Sequence, residues 1–442
     1  MVDPVRLNEL STPFLAMKSA QQYVEFAIDP SHGLTRKRYG WYSNNTLFDS
    51  SFFSNTNTPG AIQVSTGATS TDTARIRTST AGRYQSQSLA VPGQGLIIND
   101  ATQDEENRTF MQNGLVAVGA GWHEGGSGGW TVDSNNVNTF IGFKIDKNGM
   151  EAVAISNGEH IGGSPVKQEN WSENSLDGHG RGNDPAFVLK PQNGYIYNQP
   201  YTWYNQGAIF VGVVDKERDK FIPCHKFTID ETPSLDRANL PVSVIVDNDG
   251  DAASTTVDVG GMQYSRYGSG ETSIENRVTP FTRITDGKFV NNLKATSNNA
   301  IDVTAEAGRP LISYRREADE RDTTVDTTNI TLESPNDLYI YIFDEFDDAN
   351  ALTGANFRVP NNNQSDFESH LRVDTEATDY TPQTFVFRGV LKFKANEKAA
   401  ATPANELIDQ RLPIDATRII TAVHDGNETD VDPIIAKPRE GY

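Results

Sequence analysis

An all-β fold is what this sequence of 442 residues predicts: two successive β-sandwich (jelly-roll-like) domains preceded by a short N-terminal helix and an extended arm. Three observations lead there. Short runs of β-branched and aromatic residues end repeatedly at Gly, Pro, Asn or Asp, as strands do. Only 36% of the residues are hydrophobic, which suits sheets with one wet face. Past residue 30, no long stretch carries the 3.6-residue apolar period of a helix.

The pattern is densest over 188–248, where 190–197, 207–214, 221–229 and 240–247 read as strands. From Ala208 to Val214 the apolar residues run on rather than alternate, which predicts a strand covered on both faces, as in the centre of a sandwich. Residues 215–220 supply a polar hairpin turn.

Taken in order, 12–28 carries the one helix signal. Thr12 stands as N-cap, Pro13 occupies the first helical position, Phe14, Met17, Val24 and Ile28 fall near one face, and Asp29-Pro30 is the stop. Such a helix either packs on its own domain or serves as an attachment helix in a neighbouring subunit. From 36 to 73 the chain is polar with scattered aromatics, among them Trp41, Tyr42 and Phe53, and reads as an extended arm, so that 1–73 forms a helix and arm for attachment or oligomerisation. Residues 74–267 form the first sandwich, with strands at 75–89, 95–98, 115–120, 139–145, 151–155 and 257–264, and Lys147-Asn148-Gly149 as a hairpin turn. The stretch 268–276 is the linker. A second sandwich over 277–442 has strand-like runs at 301–304, 310–315, 325–332, 338–343, 385–393 and 418–424, followed by a polar tail.

The search for chemistry returns little. Seven histidines share no ligand spacing, and the loop from His123 to Gly129 lacks the second histidine of a metalloprotease. Asp247-Asn248-Asp249-Gly250-Asp251 invites a calcium reading, but glycine is missing at the sixth position and glutamate at the twelfth, so a hairpin turn at Asp249-Gly250 is the better reading. No phosphate loop, dinucleotide fingerprint or nucleophile elbow is present, so no catalytic residue, cofactor or metal site is expected. The lone Cys224 excludes an intrachain disulfide and reads as a small buried hydrophobe. Trp122, Trp130, Trp171 and His179 fall in loops, where they are candidate receptor contacts. Tryptophans in such places, Trp203 with Tyr204 included, either stack on sugar rings or fill a core or interface.

Asp and Glu number 59 against 38 Lys and Arg, a formal net charge of −21, which excludes nucleic acid or anionic lipid as the main partner. So acidic a surface fits a halophilic protein. Neither a signal peptide nor a stretch long enough to insert in a membrane is evident, so a protein made in the cytoplasm reaches the outside only if it leaves by another route, such as inside an assembled particle.

Arg75-Ile76-Arg77-Thr78, Pro92-Gly93-Gln94-Gly95-Leu96 and Gly119-Ala120-Gly121-Trp122, continued by Trp171, Leu176-Asp177-Gly178, Gly207-Ala208-Ile209-Phe210, His225 and Leu240-Pro241-Val242, resemble a domain of structural proteins of tailed viruses. Arg309-Pro310-Leu311-Ile312-Ser313-Tyr314, with Leu352-Thr353-Gly354-Ala355 and Val373-Asp374-Thr375, is similar to the C-terminal part of the same proteins. The resemblance covers most of the chain after Arg75. It implies a virion component of the tail, baseplate or fibre, with other virion proteins as partners and a homo-oligomer, a trimer by analogy. A host-surface glycan or glycoprotein is a further implied partner. Joined to the acidity, it implies a haloarchaeal host. The alternatives are a head-decorating turret or spike and, from another class, a glycan-binding module or glycan-cleaving enzyme.

The charge reading has a direct consequence. At roughly 1 M salt the Debye length is about 3 Å, so self-repulsion among surface carboxylates is screened there. The melting temperature is expected to rise with chloride concentration to well above physiological levels; a flat or falling series removes the halophilic reading.

Overall fold

The computed structural model describes residues 21–30, 33–55 except 37, 60–123 except 83 and 85–87, 139–179, 187–202, 208–215, 220–229 and 235–268 except 238, together with shorter segments, mainly strands, between 277 and 441. The chain forms two compact units, Met1–Thr272 and Ser273–Tyr442.

The N-terminal unit is a sandwich of two antiparallel sheets. Its main strands are β1 (Gln21–Ile28), β2 (Tyr39–Ser43), β3 (Phe53–Asn55), β4 (Ile62–Ser65), β5 (Thr73–Thr78), β6 (Leu89–Ile98), β7 (Leu115–Trp122), β8 (Thr139–Asp146), β9 (Gly149–Ser156), β10 (Tyr195–Asn198), β11 (Ala208–Asp215), β12 (Lys220–Thr228), β13 (Val242–Asp247) and β14 (Thr256–Gly268). Eight strands make one sheet in the order β12-β11-β10-β6-β14-β4-β3, with β1 also on β14. Nine make the other, whose central run is β9-β8-β7-β13-β5-β2.

Alternation decides what lies between the sheets. Val116, Val118 and Ala120 of β7 and Val244 and Val246 of β13 point inward, facing a layer that includes Leu96, Val211 and Val257. The opposite rows of the nine-stranded sheet are buried as well: Leu115, Ala117, Phe140, Val153, Ile155 and Ile245 form a second cluster on its outer side. β11, read from its unbroken apolar run as a covered central strand, is an interior strand next to the edge strand β12, and Phe210 on its outward side is buried too. Cys224 is fully buried, and that burial pushes its thiol well above the usual range.

Four expectations are corrected. The predicted helix over 12–28 is not what its described part forms, because 21–28 is the strand β1, paired along the edge of β14 from Gln21↔Gly268 to Ile28↔Met262. Val24 and Ile28 are four apart, a spacing that fits a helix turn and also two strand periods. A register shift between Val24 and Phe26 then separates them: Val24 is 54% exposed while Ile28 packs on the core. Phe14 and Met17, the other residues of that expected attachment helix, lie outside the described residues. Second, 36–73 is no separate arm but supplies β2, β3, β4 and the start of β5, with Tyr39, Trp41 and Phe53 in the core. Third, the end of the polar tail pairs as the strand Asp432–Gly441 with Thr324–Glu333. The Lys147-Asn148-Gly149 turn does close the β8-β9 hairpin. Asp249 and Gly250, at φ 48° and 86°, turn the chain from β13 in one sheet to β14 in the other, so they make a sheet-to-sheet turn instead of a hairpin.

In the C-terminal unit, β15 (Pro310–Arg316), β16 (Leu338–Glu345), β17 (Leu371–Asp374), β18 (Val386–Phe393) and β19 (Thr417–His424) form a five-stranded sheet in the order β17-β15-β19-β16-β18. Asp344 and Arg418 are register partners in it and both are buried. Arg418 Nε donates to Asp344 Oδ1 at 2.8 Å, and Arg388 Nε donates to Oδ2 of the same carboxylate. Burial alone would raise the Asp344 carboxyl, but the two guanidiniums hold it below the usual carboxylate range.

The strands within 1–73 make a test of where the first sandwich begins. Deleting 1–73 removes β1 to β4, among them β2, which pairs with β5 on the side away from β13, so the remainder is expected to lose cooperative melting of the N-terminal unit. A truncated protein that melts like the full chain would show those strands to be dispensable.

Candidate functional site

Trp122 ends β7, and simple alternation from Ala120 would send its side chain inward. Gly121 prevents this. It sits at φ +112°, and a Cβ there would lie 1.9 Å from the carbonyl oxygen of Thr139, so only glycine fits. Its N–H donates to Pro241 O at 2.7 Å, and Ser243 Oγ donates to Gly121 O at 2.5 Å, which pins the turned backbone to β13. The indole therefore lies with the outward residues of the nine-stranded sheet.

There it meets side chains fixed by register. Ala74 and Ile76 of β5 face the core, so Arg75 and Arg77 face out, and β2 brings Tyr42 opposite Arg75. The Arg77 guanidinium lies 4.4 Å from the Trp122 ring centroid and that of Arg75 lies 5.7 Å away. The Tyr42 ring is 5.3 Å from Trp122, tilted by 46°. Arg77 Nη2 donates to Tyr42 Oη at 3.0 Å and Arg75 Nη2 to Asn45 Oδ1 at 2.6 Å. Both arginines are buried while both aromatics are half-buried, so the cations act as a hidden clamp under rings that reach solvent. Each such cation–ring contact contributes about 0.5–2 kcal/mol, enough to hold the two rings in place.

The same face carries a charged row. Lys144 Nζ lies 2.7 Å from Glu151 Oε2 and 3.1 Å from Asp146 Oδ2. Burial works against its charge, yet hydrogen bonds and charges of those two carboxylates hold the ammonium above its ordinary range. His123, next to Trp122, is fully buried; desolvation, aided by the charges of His160 and Arg75, pushes its imidazole down to about 4. Among the described residues, no group of three or more His, Cys, Asp or Glu is placed to hold a metal ion.

The receptor candidates separate. Trp122 is half-buried on this face. Trp171 is wholly buried: its indole N–H donates to Val166 O at 3.0 Å and its ring lies 5.3 Å from Phe143, so it is a core residue and no receptor contact. The excursion after residue 159 turns inward here because a large apolar ring gains more from the sandwich than from solvent. His179 is exposed, with Nδ1 3.3 Å from Asp177 Oδ1, and is not part of the Trp122 cluster. Trp130, Trp203 and Tyr204 lie outside the described residues. Sequence reasoning missed Tyr42, Arg75 and Arg77, although the alternation of Ala74 and Ile76 with the two arginines was there to read.

No family model and no curated protein matches the chain. Solved structures that are similar to it include arcelin-5, a lectin-like defence protein from Phaseolus vulgaris, at 11% identity over 56% of this chain and 99% of that one, TM-score 0.31. Lectin II from Ulex europaeus is similar at 13% identity over 55% and 99%, TM-score 0.33. A legume lectin-like domain from Entamoeba histolytica is similar at 10% identity over 51% and 89%, TM-score 0.30. At such TM-scores the likeness carries no argument about ligand or activity.

His123 makes the stability of this face depend on pH. The unfolded chain takes up a proton at an ordinary pKa of about 6.5, the folded chain only near 4. Stability is therefore full above pH 6.5 and falls as pH drops toward 4, by about 3 kcal/mol in all. Urea midpoints at pH 7 and 4.5 for the native chain and His123→Gln check this: the drop should be smaller in the variant, and equal drops would remove His123 as the cause.

Proposed function

We propose that this chain is a non-catalytic recognition protein of a tailed-virus particle, and that its N-terminal sandwich binds a surface glycan at the Trp122 platform. The glycan half rests on one observation: Trp122 and Tyr42 reach solvent as paired rings clamped from below by Arg75 and Arg77. A flat, rigid ring suits the apolar face of a sugar, and the surrounding amide and hydroxyl groups suit its hydroxyls. Because the clamp is built before any ligand arrives, little side-chain freedom is lost on binding. The particle half rests on the resemblance of the short motifs to those of tail, baseplate and fibre proteins. A trimer, by analogy with those proteins, would turn weak single-site binding into useful avidity. A free-standing glycan-binding protein is the second reading, favoured by the same platform, which needs no particle to work.

Two measurements divide these readings. Labelling of purified particles should place the chain on them; its absence from particles leaves the free-standing reading. Trp122→Ala in the full chain should weaken binding to a panel of cell-surface glycans at least tenfold, about 1.4 kcal/mol, while the chain still melts cooperatively, at a lower temperature for the loss of two cation–ring contacts. Binding unaffected by that change would remove the platform as the site.

A further inference from the structure

The outer face of the eight-stranded sheet, on the other side of the sandwich from Trp122, holds a trough of about 490 Å³. Its floor is the bare backbone of Gly93 and Gly95 on β6 and of Gly261 on β14. Ile196 and Asn198 of β10 form one wall, Gln263 and Ile28 stand on the side of β14 and β1, and Asp29 lies just beyond β1. Ile196 is 42% exposed.

The fold does not ask for glycine at position 95, whereas Gly261 lies in the register shift of β14 between Val259 and Met262, where a bulge accounts for it. A Cβ on Gly95 meets nothing nearer than 3.6 Å and one on Gly261 nothing nearer than 3.5 Å, and neither residue has a left-handed φ. At Gly93 a Cβ would meet Asn198 Oδ1, the movable end of a side chain. Glycine inside a strand loses conformational entropy and packs nothing, so Gly95, paired with Ile196 and sterically open, is explained by close approach of something from outside.

The chemistry of the walls defines what approaches. Among the described residues, the polar groups lining the trough are neutral amides and hydroxyls, from Asn198, Gln263, Ser265 and Tyr267, with the one carboxylate of Asp29, and no Lys or Arg. Gln263 Nε2 donates to Ser265 Oγ at 2.5 Å, which fixes the amide orientation. Aliphatic Ile196, Val91 and Val214 lie among them. Amides and hydroxyls beside small aliphatic patches match the hydroxyls and the C–H face of a sugar, and a chain of net charge −21 with a carboxylate at the rim disfavours an anionic one. We propose that this trough is a second binding site, distinct from the Trp122 platform, for a neutral oligosaccharide. It shares with the reading above only the class of ligand.

Gly95→Val tests it, because the added side chain fills the trough from its floor while a Cβ is sterically accepted there. Neutral tri- to hexasaccharides built on glucose, mannose, galactose and N-acetylglucosamine are titrated against the full chain, Gly95→Val, Asn198→Ala and Trp122→Ala, with melting curves for each. The trough predicts a neutral oligosaccharide whose affinity falls at least tenfold in Gly95→Val and Asn198→Ala, is kept in Trp122→Ala, and is lost without a lower melting temperature. Gly95→Ala, the smaller change, should bind in between. Loss in Trp122→Ala alone would overturn the trough and leave the platform standing. Binding of no neutral sugar, or binding indifferent to Gly95→Val and Asn198→Ala, would overturn it outright.

Discussion

The apolar rows of the two sheets in the N-terminal unit pack face to face, and that contact fixes the register of every strand behind it. A strand shifted by one residue exchanges its faces, which would bring Arg75 and Arg77 into the core in place of Ala74 and Ile76. Both arginines and Tyr42 are therefore outward because Val244, Ile76 and Trp41 are inward, one residue per strand away. Trp122 is the exception that completes the group, since the left-handed backbone at Gly121 breaks the alternation at the one point where a ring could meet them.

Much of the architecture was legible because strand signals are local. Runs such as 208–214 and 242–247 hold β-branched residues between turn residues, and both became paired strands. The 12–28 segment misled because an apolar spacing of four satisfies two periodicities, and because the edge of β14 that recruits β1 lies more than two hundred residues downstream. Nothing local records such a partner. Trp171 shows the same limit from another side: surrounding Ser, Asn and Gly suggest a loop, yet its burial is decided by the space beside Phe143. The Trp122 cluster was half legible. Its tryptophan stood out, while its arginines were hidden inside a strand that reads as scaffold.

Charge is distributed against the average. An acidic chain places some of its scarce cations inside, Arg75 and Arg77 under aromatic rings and Arg388 and Arg418 on the single carboxylate of Asp344, while the half-buried Lys144 sits between two carboxylates. Buried ion groups contribute little net stability, but removing one partner costs about 3–5 kcal/mol because the other is left without compensation. In the C-terminal sheet this makes the pairing of β16 with β19 selective, since any other register would separate Asp344 from Arg418.

The register shift in β1 has a consequence beyond its own pairing. Among the described residues β1 hydrogen-bonds to β14 alone, so its other side is a row of backbone donors and acceptors to which a strand from another copy could add. The bulge between Val24 and Phe26 interrupts that row, and Glu25 at the interruption turns its carboxylate into an ion pair 2.6 Å from Arg266 of β14. Copies crowded side by side then find no straight edge to zip against. The irregularity that sends Val24 and Ile28 to different surroundings also makes this edge a poorer template for a strand from another copy.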